Sequence, residues 1–397
     1  MAPNPRSLAT ASLLAALIGA VAPAAAEDCV TSGIAVRGEP FTIAAAEANR
    51  TSAVWNPDRG EYLVVWNVYA AGEHRLRARR VAADGTPLGD ELELAHDTNA
   101  IIDPVVATAA GHDRYLVVWQ TQNVPFNGAR GQLLDGDGSA HGDLFVIGES
   151  GAEPALVYGA ANEEFLFSGR GMGVWAQRIG VDGALVGDGL DLTTGTDPVA
   201  APNGALAINA SGQALALWRD QENDRLVGRR ASGGSVVGAI VAYADEFPAS
   251  GTAARLDYRV ADDRYLALYG NFDETAVRWF GVDAAGVGTA PQTVAEGAGL
   301  VAAAVAYDDA TASAALFWTA RGTDIGATLY GQLLSPADTL AGAPLALSDT
   351  VSSNLAVAAA RERGAALVAW ADAEQVRGQR VAYGCLLTDS IFIDGFD

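Results

Sequence analysis

The sequence contains no lysine, so all 25 of its Lys and Arg positions are Arg. That absence excludes phosphate loops ending in GK[ST], Schiff-base chemistry and Ser–Lys dyads, all of which need a lysine amine. Cysteine is scarce, with two in 397 residues, and only four histidines are present. His74, His96, His112 and His141 fall in predicted loops without a partner at metal-pair spacing, and they read as solvated side chains. Charged residues make up only 18%, yet 48 acidic positions leave a net charge of −23. Such a surface repels nucleic acid and anionic lipid, and its diffuse acidity is not in itself a binding site. The catalytic patterns G-x-S-x-G and H-E-x-x-H are missing, as is the sialidase-type S-x-D-x-G-x-x-W. Beyond the N-terminus no apolar run is long enough to span a membrane.

The N-terminus has the layout of a secretory signal over residues 1–26. Arg6 supplies the positive end, Leu8 to Val21 the apolar stretch, and Ala24-Ala25-Ala26 a small-residue cleavage site. The expected product is exported, to the periplasm, the cell surface or the medium. Its two cysteines, Cys29 and Cys385, are then expected to pair, because disulfides persist outside the cytosol. Closing nearly the whole chain in this way would contribute at most about 5 kcal/mol.

Half of the residues are apolar and 45 are glycine, which suits many short strands joined by turns. The stretch "EYLVVW" (61–66) returns as "RYLVVW" (114–119), and further copies follow. "EFLFS" (164–168) carries Phe167 in the Trp place; "ALALW", "RYLALY", "AALFW" and "ALVAW" end at Trp218, Tyr269, Trp318 and Trp370. The aromatics are 53, 48, 51, 51, 49 and 52 residues apart. Other features repeat in step. An apolar stretch such as "DPVVATAA" (103–110) or "EPALVYGA" (153–160) precedes each copy. A segment such as "ARGQLL" (129–134) or "VRGQRV" (376–381) follows, then an Asp-Gly turn and a strand such as "GDELELA" (89–95). Four strands recurring at this period predict an all-β, seven-bladed β-propeller. The near-continuous "LVVW" runs predict a second strand buried on both sides, its aromatic wedged against the next blade.

The last unit lacks its fourth strand, and "GEPFTIAAA" (38–46) matches the missing one. The N-terminal strand should therefore complete the seventh blade and close the ring, within a single domain spanning 27–385. That closure would also bring Cys29 and Cys385 together.

The repeat "YLVVW…GQRV…DG…LG" over 38–382 resembles bacterial secreted propeller-like repeats. The ending "DSIFIDGFD" (389–397), within a tail of residues 386–397, resembles the "IF-x-DGFE" endings of exported proteins in Xanthomonas-like and Lysobacter-like bacteria, with Asp397 in place of Glu. The resemblance implies architecture and export, and carries no activity.

Chemistry is expected on the loops after the second strands, which are unequal and polar where the blades are repetitive. Candidate ligand-binding residues are Asn67, Tyr69, Gln120, Phe126, Arg219, Asp220, Phe272, Arg321 and Asp372. In "DGDGSAHGD" (135–143), Asp135, Asp137 and Asp143 are spaced partly like a calcium loop, although a plain hairpin turn explains them as well. No other cofactor is indicated. The sequence thus points to a monomeric binding module for a carbohydrate, a peptide or a surface protein. The rival readings are a polysaccharide hydrolase or lyase using carboxylates and Arg at the channel mouth, and a purely structural surface protein.

Overall fold

The computed structural model describes residues 33–45, 48–122, 128–193, 205–220, 222–246, 254–321, 326–351, 355–372 and 374–383. The expected signal segment, the C-terminal tail, Cys29, Cys385 and Phe126 lie outside the described residues. The strands described form seven antiparallel sheets of four. Blades 1 to 6 occupy residues 50–97, 100–148, 152–191, 205–244, 255–296 and 300–351. Blade 7 joins three strands within 355–383 to the N-terminal strand Ile34–Ala44, in the order expected from the repeat. The first strand of each blade touches that of the next, and that of blade 7 returns to blade 1, so the sheets form a seven-bladed propeller. Among the described residues, no helix is long and apolar enough to cross a membrane.

The second strands are the hydrophobic layer. Tyr62 to Trp66 and Tyr115 to Trp119 are buried throughout. Side chains alternate along each strand, and the two faces serve two interfaces. Tyr115, Val117 and Trp119 pack with Leu63 and Val65 of blade 1, whereas Leu116 and Val118 pack with Phe165 and Phe167 of blade 3. Trp218, Tyr269, Trp318 and Trp370 likewise lie against the blade before them. The aromatic therefore wedges against the preceding blade, not the next one. A period-two pattern says that the faces differ, but not which face looks back.

Strand register corrects the alignment of blade 3. Phe167 faces Gln177 as Val117 faces Gln132, so Gly169, opposite Trp175, holds the Trp position. A side chain on Gly169 would collide with the Phe167 ring, 2.8 Å from an added Cβ, so the aromatic bulk has moved two residues along the strand.

The Gln of the repeated "GQ" acquires a role that its sequence context did not reveal. A glycine in the left-handed region (Gly38, Gly89, Gly142, Gly187, Gly238, Gly342; φ 62–73°) kinks six of the seven outer strands beside a register shift. The third-strand Gln bonds the carbonyls freed there. Gln132 Nε2 donates to His141 O and Gly142 O (3.3 and 3.2 Å), and Gln379 Nε2 donates to Arg37 O and Gly38 O (3.2 and 3.1 Å). Arg79 and Arg229 make the equivalent bond to Gly89 O and Gly238 O. Blade 5 has Phe280 at this place, and its outer strand, Gln292–Glu296, is short. Gln379 is 1% exposed, and Gln379→Ala leaves the part-buried carbonyls of Arg37 and Gly38 without their amide donor. Chemical denaturation should show a loss of about 1–3 kcal/mol; an unchanged midpoint would mean that these bonds carry no weight.

Candidate functional site

Antiparallel pairing places the start of each first strand beside the end of the second, as in Arg50 opposite Asn67 and Ala152 opposite Arg170. One face of the ring therefore carries the beginnings of the innermost strands together with the loops singled out from the sequence.

Charged groups gather where the inner strands begin. In blades 2 and 3 the strand is interrupted by register shifts at Asp103 and Glu153. Both residues have positive φ (52° and 53°), which is uncommon for a residue with a side chain. Bulges of this kind re-aim a side chain. Asp103 meets Arg50 of blade 1 (Nε–Oδ1 2.9 Å), and Glu153 meets Arg170 (3.5 Å). Burial pushes the Glu153 carboxyl up to about 7; Arg170 opposes this shift and the charge of Asp103 adds to it. Blade 5 contributes Arg255, whose Nε donates to Ala303 O of blade 6 (2.7 Å). None of these five residues was singled out from the sequence. The signal was visible in "DP" (103–104) and "EP" (153–154), where the acid before the proline looked like part of the repeat.

The sequence candidates surround this centre. Between blades 2 and 3, Gln120 lines an open cavity of about 340 Å³ with Gln122, Glu149, Ser150 and Arg170. Between blades 4 and 5, the Arg219 guanidinium sits over the Phe272 ring, 5.5 Å from its centroid, and the ring is 50% exposed. Arg321 of blade 6 pairs with Glu274 of blade 5 (3.4 Å). Tyr69, 55% exposed, packs on His74 (4.5 Å between centroids).

Three candidates turn out to hold local structure. Asn67 is buried: its Nδ2 donates to Ile101 O (2.9 Å) and its Oδ1 accepts from Arg50 N (3.1 Å), tying blade 1 to blade 2. Asp220 and Asp372 accept backbone N–H groups of the turns that follow them. On the other side of the sheet, the aspartates of the calcium-like stretch do not converge. Asp137 Oδ1 accepts from Ser139, Asp135 faces His141 Nδ1 (3.0 Å), and Asp143 is exposed. No group of three or more His, Cys, Asp or Glu among the described residues is arranged to hold a metal ion.

The opposite face is cross-tied. Arg361 of blade 7 reaches Asp257 of blade 5 (2.9 Å) and Asp309 of blade 6 (3.2 Å). Arg259, 2% exposed, joins Asp262 and Asp338, and Arg59 forks onto Asp113. These arginines and aspartates are engaged with one another.

No protein-family model matches the sequence, and no curated protein matches it. Among solved structures, Raptor from Chaetomium thermophilum superposes with a TM-score of 0.56 at 6% identity, over 89% of this chain and 29% of that one. AofleA from Arthrobotrys oligospora gives 0.49 at 10% identity, over 79% and 90% of the two chains. The Dos1 propeller gives 0.49 at 7% identity, over 87% and 94%. Likeness at this level of identity is one of fold, and it assigns no ligand or reaction.

Proposed function

We propose that the protein is an exported binding module that takes a carbohydrate, a peptide or a surface protein on the face bearing the inner-strand beginnings. The observation that carries this reading is the exposed Phe272 ring, held under Arg219 at the edge of that face. A rigid ring beside a guanidinium offers an apolar plane and hydrogen-bond donors together, the combination found in binding hot spots. The Gln120–Arg170 cavity adds amide and guanidinium groups on the same face, whereas Arg361, Arg259 and Arg59 of the opposite face are paired with aspartates.

Glycan and peptide arrays probed with labelled protein test the reading. Phe272→Ala is expected to weaken captured ligands by about tenfold, roughly 1.4 kcal/mol, with the melting temperature unchanged. Binding that survives Phe272→Ala undiminished, or no binding on either array, sinks the proposal.

One observation favours the rival hydrolase reading. The Glu153 carboxyl is pushed up to about 7, and Asp103, bonded to Arg50, adds to that shift. A protonated carboxyl beside an ionised one is the pairing that glycoside hydrolysis uses. Release of reducing ends from polysaccharide, lost in Glu153→Gln, would favour that reading over simple binding.

A further inference from the structure

Gln120 follows Trp119 in blade 2 as Asn67 follows Trp66 in blade 1, and both are buried (8% and 3% exposed). Asn67 spends its amide on Arg50 N and Ile101 O. Gln120 does not: among the described residues its side-chain amide has no hydrogen-bond partner. A buried amide left unpaired costs free energy, and such a group in a folded protein calls for a partner.

The surroundings show what that partner meets. Side chains alternate along the strand, and Leu116 and Val118 pack towards blade 3, so Gln120 and Gln122 face it too. There the packed core gives way to the open cavity of about 340 Å³ that both glutamines line with Glu149, Ser150 and Arg170. Small-molecule sites span roughly 300–1,000 Å³ and are mostly apolar. Here, among the described residues of the wall, only a glycine and an alanine lack a polar side chain. Arg170 adds a buried Nε that is also without a partner.

Charge narrows the class of ligand. An anion would find the Arg170 guanidinium already engaged by Glu153 (3.5 Å), with the exposed Glu149 carboxylate opposing it. A cation would meet the guanidinium itself. The amides, hydroxyl, carboxylate and guanidinium together supply both donors and acceptors. Hydroxyl groups, each of which donates and accepts, can use both kinds. Apolar side chains of a peptide find no matching wall.

We propose that the Gln120 cavity binds one uncharged sugar residue, whose hydroxyl groups bond the Gln120 amide and the Arg170 guanidinium. This rests on the reading of that face as a binding surface and names the ligand class of one place on it. Phe272 stands at a different junction, between blades 4 and 5.

Calorimetric titration of the full chain with methyl glycosides of neutral hexoses and deoxyhexoses tests the site, with methyl glucuronide and methyl glucosaminide as charged arms. At least one neutral glycoside is expected to bind, and more tightly than either charged sugar. Gln120→Leu keeps the bulk of the side chain and removes its hydrogen bonds, so it should weaken that binding by about tenfold. No binding of a neutral glycoside, tighter binding of a charged one, or an affinity that survives Gln120→Leu overturns the inference. In each of those cases, array capture that is lost in Phe272→Ala keeps the wider reading standing, so the two failures are distinct. If Gln120→Leu does not fold, wild-type crystals soaked in the bound glycoside decide the matter. Sugar density within hydrogen-bond reach of Gln120 supports the site, and its absence there overturns it.

Discussion

A chain lacking residues 33–44 is expected to lose its cooperative unfolding transition and to aggregate. The strand Ile34–Ala44 is the outer strand of blade 7, paired along Val376–Tyr383. Ile43 is fully buried, and Phe41 covers Gly378 and Gly85, where an added Cβ would come within 2.6 and 2.8 Å of its ring. Arg79 of blade 1 donates to Ile43 O (2.6 Å), so the strand also ties the last blade to the first. Without it, the backbone edge of Val376–Tyr383 is bared, and an unpaired edge recruits other chains. The milder Ile43→Ala should cost about 2–4 kcal/mol, read from denaturant midpoints, while light scattering follows the deletion. A permuted chain carrying residues 33–44 after Tyr383 should recover the native transition. A deletion mutant that unfolds at the wild-type midpoint would show that the ring closes by other means.

Glu153→Gln is expected to stabilise the protein at alkaline pH, the reverse of most substitutions of a paired charge. The folded carboxyl holds its proton up to about 7, against an ordinary value of 4.5, mainly because burial disfavours the carboxylate. Between those values the folded state binds more protons than the unfolded one. Stability from this group is therefore complete below 4.5 and is lost as pH rises through 7. Glutamine mimics the protonated carboxyl at every pH. The variant should match wild type near pH 4 and exceed it at pH 8, by at most about 3 kcal/mol. Losing the partial bond to Arg170 reduces that gain. Urea midpoints at the two pH values measure the difference. A variant less stable than wild type at pH 8 would mean that Arg170 holds the ionised Glu153 more strongly than burial disfavours it, so that its carboxyl is not raised.

The blade count and the ring closure were legible because each depends on local patterns. "YLVVW" marks a strand buried on both sides wherever it occurs, and an orphan "G-x-x-x-x-I" strand at the start fits the blade that lacks one. The register of blade 3 was not legible. Phe167 is an aromatic at nearly the right spacing, and only the pairing of Gly169 with Trp175 shows which residue holds the Trp position. The candidate site was half legible. Arg219, at the end of the second strand of blade 4, and Phe272, in the turn after that of blade 5, both break the repetition, but their stacking joins two blades. Asn67 looked equally irregular and proved to be an internal tie, because its amide has the length to bridge Arg50 N and Ile101 O.

By itself the sequence determined the fold: a burial pattern repeated at a near-constant period can only be satisfied by blades packed side by side, and seven of them with a spare strand close on themselves. It also determined that lysine chemistry plays no part. Only the tertiary structure decided where charge accumulates. Arg50, Asp103, Glu153 and Arg255 lie in separate repeats, and each taken alone resembles the beginning of an ordinary strand. Closing the ring turns those beginnings toward one centre, where burial and like charges raise the carboxyl of Glu153 and leave Arg255 without a carboxylate partner among the described residues.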